Sequence, residues 1–385
     1  MDTSREEPPN EGAGAGCELA PTTWPSNYSA IKRVQFETLE KSVCLLQEFA
    51  KEGYPIIIEG SKLLDVEKWS DIGHLQGLLQ QRTVLVKKSP NNRFRYFDLK
   101  KNIGGNEFKQ PLVEEQMELG EFLRHAQGIL DQGLESRMYL QETLSGHAEM
   151  ADEFVTWNWE FLIRASTSCQ WGLPDSNELF IGMPGVETPL HFDERENLFF
   201  QVRGRKEVVI FPFVDYTCMY PFPTTHACDR QSMVGDPRTP DLIAFPRFQH
   251  VVGHHAELQP GDLLYLPYGW WHWLRSLDHL TTSMSFWSTT PPSDLSKGVP
   301  DEFTDHMLTR VLRNLESIIA QKEPKRHNES MLAIRDAISQ GDSSNECLNG
   351  VRVLLAAVKI PSEKQDQFLL NMIDGRFGID WNRYV

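Results

Sequence analysis

Thr188-Pro189-Leu190-His191-Phe192-Asp193-Glu194 decides the fold when read with Trp270-Trp271-His272-Trp273-Leu274, whose histidine follows His191 by 81 positions. In an extended strand, side chains two residues apart leave the same face. His191 and Asp193 can therefore aim at one point while Phe192 turns away. Two ligands from one short segment do not close a metal site, so a third must arrive on a distant strand. His272 follows the turn and apolar strand Gly261-Asp262-Leu263-Leu264-Tyr265-Leu266-Pro267 and sits in a second apolar run. Two imidazoles and one carboxylate make the facial set that suits non-haem Fe(II) and leaves positions open for a cosubstrate and dioxygen. A bare His-x-Asp pair is common; its surroundings give it weight.

Those surroundings are short apolar runs bounded by turn residues. They cover Leu179–Ile181, Leu198–Val202, Glu207–Phe211, Leu242–Phe245, Leu263–Leu266 and Thr282–Trp287, punctuated by Gly204, Pro212, Gly253, Gly261 and Pro267. So many short strands within 179–290 predict a double-stranded β-helix, the jelly roll of cupin-like proteins, whose mouth can hold a metal. Upstream, 26–178 reads as flanking strands and helices. Strands are expected at Tyr54–Ile58, Thr83–Val86, Phe94–Phe97 and Met138–Leu140, and helices over Ser61–Trp69, Met117–Leu130 and Ala148–Trp157. Residues 1–25, rich in Glu, Pro, Gly, Ala and Thr, are expected to form a disordered tail. Beyond Pro291-Pro292, 291–385 is expected to be helical. Apolar stripes run through Met307, Val311, Leu312, Leu315 and Ile318, through Val353, Leu354 and Val358, and through Phe368, Leu369, Met372 and Ile373. His254 and His255 are placed in a loop before Gln259-Pro260-Gly261.

Composition narrows the function. With 38 basic and 54 acidic residues the formal charge is −16, and no sustained basic run appears. Nucleic-acid binding is disfavoured, because phosphate recognition needs clustered Lys and Arg. No apolar stretch approaches the ~20 residues that span a bilayer. The six cysteines show no Cys-x-x-Cys spacing and no secretory signal precedes them, so reduced thiols in a cytoplasmic protein are expected, with nuclear access left open.

Further segments frame the metal motif: Tyr139-Leu140-Gln141, Trp157-Asn158-Trp159, Gly182-Met183-Pro184-Gly185, Asn197-Leu198-Phe199-Phe200, Cys228-Asp229-Arg230-Gln231-Ser232, Phe248-Gln249 with Val251-Val252-Gly253, and Phe286-Trp287. On these residues the chain resembles the JmjC-type 2-oxoglutarate oxygenases, and among them the asparaginyl hydroxylase branch that acts on hypoxia-inducible factor. The resemblance covers roughly residues 80 to 290 and returns in Leu369–Ile373 with Gly375-Arg376-Phe377.

The resemblance implies Fe(II) held by His191, Asp193 and His272, with 2-oxoglutarate and O2 as cosubstrates. It places the distal carboxylate of 2-oxoglutarate on Lys206, with Tyr139 and Thr188 as hydroxyl partners, and puts Asn197 and Ser285 beside the cosubstrate. Tyr96, Glu194, Arg230, Gln231 and Trp287 would face the substrate. A glutamine pairs with a side-chain amide through one donor and one acceptor, which suits asparagine. The implied reaction hydroxylates the β-carbon of asparagine in ankyrin-repeat proteins, and in a hypoxia-inducible factor where one exists, with release of succinate and CO2. The family also implies a homodimer made by C-terminal helices, with Leu369 and Ile373 at the seam. Three departures stand out: Ser285 replaces an asparagine, and Phe180 and Glu178 replace leucines. Residues 320–350 add a helical insertion. Other JmjC activities, such as lysine demethylation or RNA hydroxylation, and a non-catalytic cupin-like scaffold, stay open as alternatives.

Overall fold

The computed structural model describes residues 25–79, 82–104, 107–146, 150–289 and 305–385. The expected tail and the Pro291-Pro292 junction lie outside them. Fourteen strands among the described residues form two sheets. One runs β1 (Ser29–Ala30), β11 (His254–Leu258), β10 (Lys206–Phe211), β13 (Trp271–Ser276), β8 (Glu187–Phe192). The other runs β2 (Arg33–Gln35), β3 (Ile56–Glu59), β12 (Leu263–Leu266), β9 (Glu196–Arg203), β14 (Thr281–Ser288), β7 (Pro174–Gly182), β6 (Arg137–Thr143), β4 (Thr83–Ser89), β5 (Val113–Glu118). The jelly-roll core pairs antiparallel, while β1 joins β11 and β2 joins β3 in parallel.

Burial explains the continuous apolar runs that stand where simple alternation would otherwise appear. Lys206 to Phe211 and Leu263 to Leu266 are buried throughout, because each of these strands is covered on both faces. Ile57, Phe199, Val208, Ile210, Leu264 and Leu274 fill the space between the sheets. On the outside of the larger sheet, helices α1 (Leu39–Glu52), α4 (Leu119–Asp131) and α6 (Trp159–Ser168) contribute Leu46, Phe122 and Leu162 to one cluster with Trp69 and Phe200. On the smaller sheet, Phe192, Phe211, Trp271 and Trp273 pack into a cluster shared with helices α7 (Asp305–Lys322), α8 (His327–Gln340), α9 (Glu346–Ala357) and α10 (Ser362–Ile373).

Several local expectations give way. Phe94–Phe97 is extended but joins no sheet; the Phe94 N–H donates to the Glu187 carbonyl at 2.8 Å, and Arg93 makes an isolated bridge to Glu187. Leu242–Phe245 is a turn, because the Asp241 carboxylate accepts from the N–H groups of Ile243 and Ala244, both at 3.0 Å. The helix expected over Ser61–Trp69 shrinks to α2 (Val66–Ser70), started by Asp65 accepting from the Lys68 N–H. The one over Ala148–Trp157 shrinks to α5 (Ala151–Phe154), its first positions lying outside the described residues. The strand β5 hides in sequence because its residues are charged and largely exposed on a sheet edge. His254 and His255 belong to β11, paired on β10, and are not in a loop.

The dimer-seam expectation also changes. Leu369 and Ile373 have no exposed surface in the single chain and pack inside its own helical cluster with Met372 and Phe377. A side chain already enclosed has nothing to offer a second copy.

That cluster holds a fully buried ion pair. Arg376 donates to Glu316 at 2.9 Å, with both side chains fully buried, and also to the carbonyls of Pro221 and Met372, each at 2.8 Å. Glu316 accepts in turn from the Thr224 N–H at 2.7 Å. The pair thereby ties α7 and the end of α10 to the loop at 221–224. Removing one partner strands a buried charge, which costs about 3–5 kcal/mol. Arg376→Met should therefore lower the urea midpoint by that amount of stability, and adding Glu316→Leu to it should restore most of the loss in the same unfolding measurement.

Candidate metal centre and cosubstrate cavity

Register builds the centre. β8 and β13 run antiparallel with His191 opposite His272 and Phe192 opposite Trp271, and a bulge follows His272. The two imidazoles stand 4.1 Å apart between ring centroids, and His272 Nε2 lies 3.8 Å from Asp193 Oδ2. One ligand atom from each of the three residues fits within a 4.8 Å spread, the only such His/Cys/Asp/Glu group among the described residues. Asp193 follows the end of β8, so its orientation is not left to the strand. The indole N–H of Trp287 donates to Asp193 Oδ2 at 3.3 Å. Trp287, expected to face the substrate, thus also orients a candidate ligand.

The rings are set for coordination. His191 Nδ1 lies 2.8 Å from the Pro189 carbonyl and His272 Nδ1 3.0 Å from the Trp270 carbonyl. A carbonyl only accepts, so both Nδ1 atoms carry a proton, which leaves the Nε2 atoms as the nitrogens that could meet a metal. Burial, helped by His272, pushes His191 down to about 3, which keeps it neutral. Burial alone would raise the Asp193 carboxyl, but His272, His191 and Arg230 outweigh it and hold the group ionised. A neutral His191 beside an ionised Asp193 is what a divalent ion needs of these two groups.

The three residues open onto a cavity of about 320 Å³ between the sheets. Tyr139, Thr188, Asn197, Lys206 and Ser285 line it, and so do Tyr96, Arg230, Gln231 and Trp287. Lys206 is 3% exposed, and its ammonium makes no hydrogen bond or ion pair among the described residues. Its ammonium faces the rings of Phe199, Tyr139 and Phe180 at 5.4, 5.6 and 5.9 Å, and burial lowers it to about 7. A buried ammonium without a counter-charge on an enclosed cavity suits a carboxylate ligand. The Tyr139 and Thr188 hydroxyls are hydrogen-bonded to each other, and burial keeps the phenol protonated as a donor. The neighbouring arginines face elsewhere: Arg205 pairs with Asp278 at 2.8 Å and Arg203 donates to the Ser70 carbonyl at 2.9 Å. Asn197 Nδ2 reaches Ser285 Oγ at 3.3 Å, while its Oδ1 is buried without a partner.

A strap over Cys228–Ser232 forms the wall beside β8. Phe192 N–H donates to the Arg230 carbonyl at 3.1 Å and Ser232 N–H to the Leu190 carbonyl at 2.8 Å. Arg230 takes a left-handed conformation with φ 69°, and its Nε is buried without a partner. The Gln231 amide donates to the Tyr96 carbonyl. Asp229 anchors the strap through Lys101 at 2.8 Å and Arg313 of α7 at 3.0 Å. Glu194 does not line the cavity; it is exposed outside, 3.5 Å from Arg313.

Sequence reasoning missed Lys87, Gln141, Asp229, Phe94 and Phe199, all on the cavity wall. A lysine inside the run Val84-Leu85-Val86-Lys87 was the available signal for the first. Of the departures, Phe180 stacks on Tyr139 with 5.8 Å between centroids, whereas Glu178 sits behind the wall, hydrogen-bonded to Thr143.

A family model described as a cupin-like domain matches residues 43–294. The chain is 34% identical over 155 residues to the HSPB1-associated protein 1 of Rattus norvegicus, covering 38% of this chain and 31% of that protein. It is 33% identical over 123 residues to the lysine-specific demethylase 8 of Xenopus tropicalis, covering 31% and 27%. It is 26% identical over 266 residues to the lysine-specific demethylase JMJ30 of Arabidopsis thaliana, covering 68% and 56%. The chain thus spans about a third of the length of the HSPB1-associated proteins it matches.

Two outcomes follow from the geometry. Asp193→Ala should abolish stoichiometric binding of Fe(II), or of Mn(II) as its stand-in, by metal analysis after gel filtration. Lys206, at about 7 when folded, lies below the ~10.4 of an unfolded lysine. Between those values the unfolded chain holds a proton that the folded chain lacks, so ligand-free stability rises with pH, by up to about 1.4 kcal/mol per unit. Urea unfolding at pH 7 and 9 should show that gain in the wild type and not in Lys206→Met.

Proposed function

We propose that this chain, which belongs to the cupin-like domain family, is an Fe(II)- and 2-oxoglutarate-dependent oxygenase that hydroxylates a protein side chain. The observation that carries this reading is the shared cavity: three metal-ligating groups and a buried, unpartnered lysine open onto the same space. When bound, Fe(II) and 2-oxoglutarate supply the oxidation: O2 is consumed, 2-oxoglutarate gives succinate and CO2, and the second oxygen atom enters a C–H bond.

The protein's part is holding and orienting. His191, Asp193 and His272 would hold the metal, with Trp287 fixing Asp193. Lys206 would take the distal carboxylate, with the Tyr139 and Thr188 hydroxyls beside it, and its lowered affinity for a proton would recover on pairing. Asn197 and Ser285 would face the cosubstrate from β9 and β14, and the shorter serine leaves room next to the Asn197 amide. On the substrate side, the Gln231 amide N–H is held by Tyr96, which leaves its carbonyl oxygen to accept from an asparagine amide. This supports the finer reading, hydroxylation at the β-carbon of asparagine in ankyrin-repeat proteins and in a hypoxia-inducible factor. The acidic charge speaks against a nucleic-acid substrate. A cytoplasmic site of action, with nuclear access, fits the reduced cysteines. A second reading, demethylation of lysine, is favoured by the names of the Xenopus tropicalis and Arabidopsis thaliana relatives.

Mass spectrometry separates them. Full-length protein with Fe(II), 2-oxoglutarate and air should add one oxygen atom to asparagine in an ankyrin-repeat peptide, with Asp193→Ala inactive. Loss of methyl groups from a methyl-lysine histone peptide, with no oxygen added to asparagine, would support demethylation. An iron-loaded sample that consumes no 2-oxoglutarate would overturn both and leave the scaffold alternative.

A further inference from the structure

A second buried amine opens onto the same cavity. Lys87 lies on β4 opposite Tyr139 of β6 and is 7% exposed. Its Nζ is 2.8 Å from Gln141 Oε1 and 5.8 Å from the centroid of the Tyr96 ring. The Gln141 amide is hydrogen-bonded in turn to Glu178 of β7, which Thr143 also engages. The ammonium, the amide and the carboxyl thus form one polar seam across three strands. Within it, Gln141 fixes Lys87. The nearest carboxylate to Lys87 outside the seam is Glu114 at 3.9 Å, half-exposed on the edge strand and screened by solvent.

The charge inventory of the lining gives this seam a function. Three cationic side chains face the cavity: Lys206, Lys87 and Arg230. Of the two lining carboxylates, Asp193 belongs to the metal centre and Asp229 is already paired with Lys101 and Arg313. With Lys206 assigned to the cosubstrate, Lys87 and Arg230 are the charges that the substrate half of the cavity presents, since Glu178 and Glu114, the carboxylates that act on Lys87, lie behind the wall and on the half-exposed edge strand. An acceptor oxygen entering there would complete the hydrogen bonding of a buried ammonium. A cation would meet like charge where water screens little.

We infer that Lys87, held by Gln141, selects the substrate side chain: the cavity takes a residue ending in a carbonyl or carboxylate oxygen and turns away a cationic one such as methylated lysine. This rests on the oxygenase reading above and sharpens it.

The test uses full-length protein loaded with Mn(II) and 2-oxoglutarate, so that binding is read without turnover. Three peptides with identical ankyrin-type flanks carry asparagine, aspartate or trimethyllysine at the target position, and compete against a labelled asparagine peptide in fluorescence anisotropy. The wild type should bind the asparagine and aspartate peptides about tenfold tighter than the trimethyllysine peptide or better, Lys87→Met should narrow the gap to about twofold, and Lys87→Arg should keep most of it. Lys87→Gln serves as the second neutral variant if Lys87→Met does not fold. A wild type that binds all three alike, or a neutral variant that keeps the full gap, overturns the inference. Consumption of 2-oxoglutarate by the Fe(II)-loaded wild type is measured alongside. Turnover without charge preference removes only the role of Lys87; no turnover removes the oxygenase reading and the inference with it.

Discussion

The antiparallel register of β8 on β13 is the constraint on which the rest depends. It sets His191 across from His272, and because side chains alternate faces, a slip of one residue would send an imidazole into the aromatic packing of Phe192, Trp271 and Tyr216. The same packing resists the slip. Phe192 and Trp271 are fully buried on the far face, at 4.8 Å between centroids, so the apolar side of each strand fixes the direction of its polar side. Trp287 then reaches from the other sheet to Asp193, and the centre becomes a property of both sheets at once.

Around that centre the energetics favour function over stability. Lys206 lies among three aromatic rings with no anion, an arrangement that burial penalises and a ligand would relieve. The unpartnered Oδ1 of Asn197 and Nε of Arg230 on the same cavity follow the same pattern. The buried charges of Arg376 and Glu316, by contrast, are closed into a pair. A buried ammonium left without an anion on the wall of an enclosed cavity is the feature that distinguishes a binding space from a packing defect.

Much of this was legible in sequence. The spaced apolar runs of the jelly roll report backbone geometry directly, and the His191-x-Asp193 pair marks the site although Asp193 falls just past the end of β8 and takes its orientation from Trp287. What sequence hid has physical causes. The edge strand β5 carries charges because only one side of it needs a partner. Leu242–Phe245 reads as strand until the capping role of Asp241 is seen. Lys87 and Asp229 look like surface charges, since their burial comes from elements distant in sequence. Leu369 and Ile373 show the reverse error: an apolar stripe reports that a face is covered, and it says nothing of whether the cover is the same chain or another.

The pairing of Asp229 with Arg313 gives the helical region a bearing on chemistry that it does not itself perform. Arg313 belongs to α7, whose Glu316 is locked by Arg376 beyond α10. The strap that carries Arg230 and Gln231 is therefore staked to the helices of 305–385, none of whose described residues lines the cavity. The helices act as a splint for the wall that the proposed function assigns to the substrate. Selection on substrate preference can then operate at residues far from any substrate, through how firmly the wall is braced.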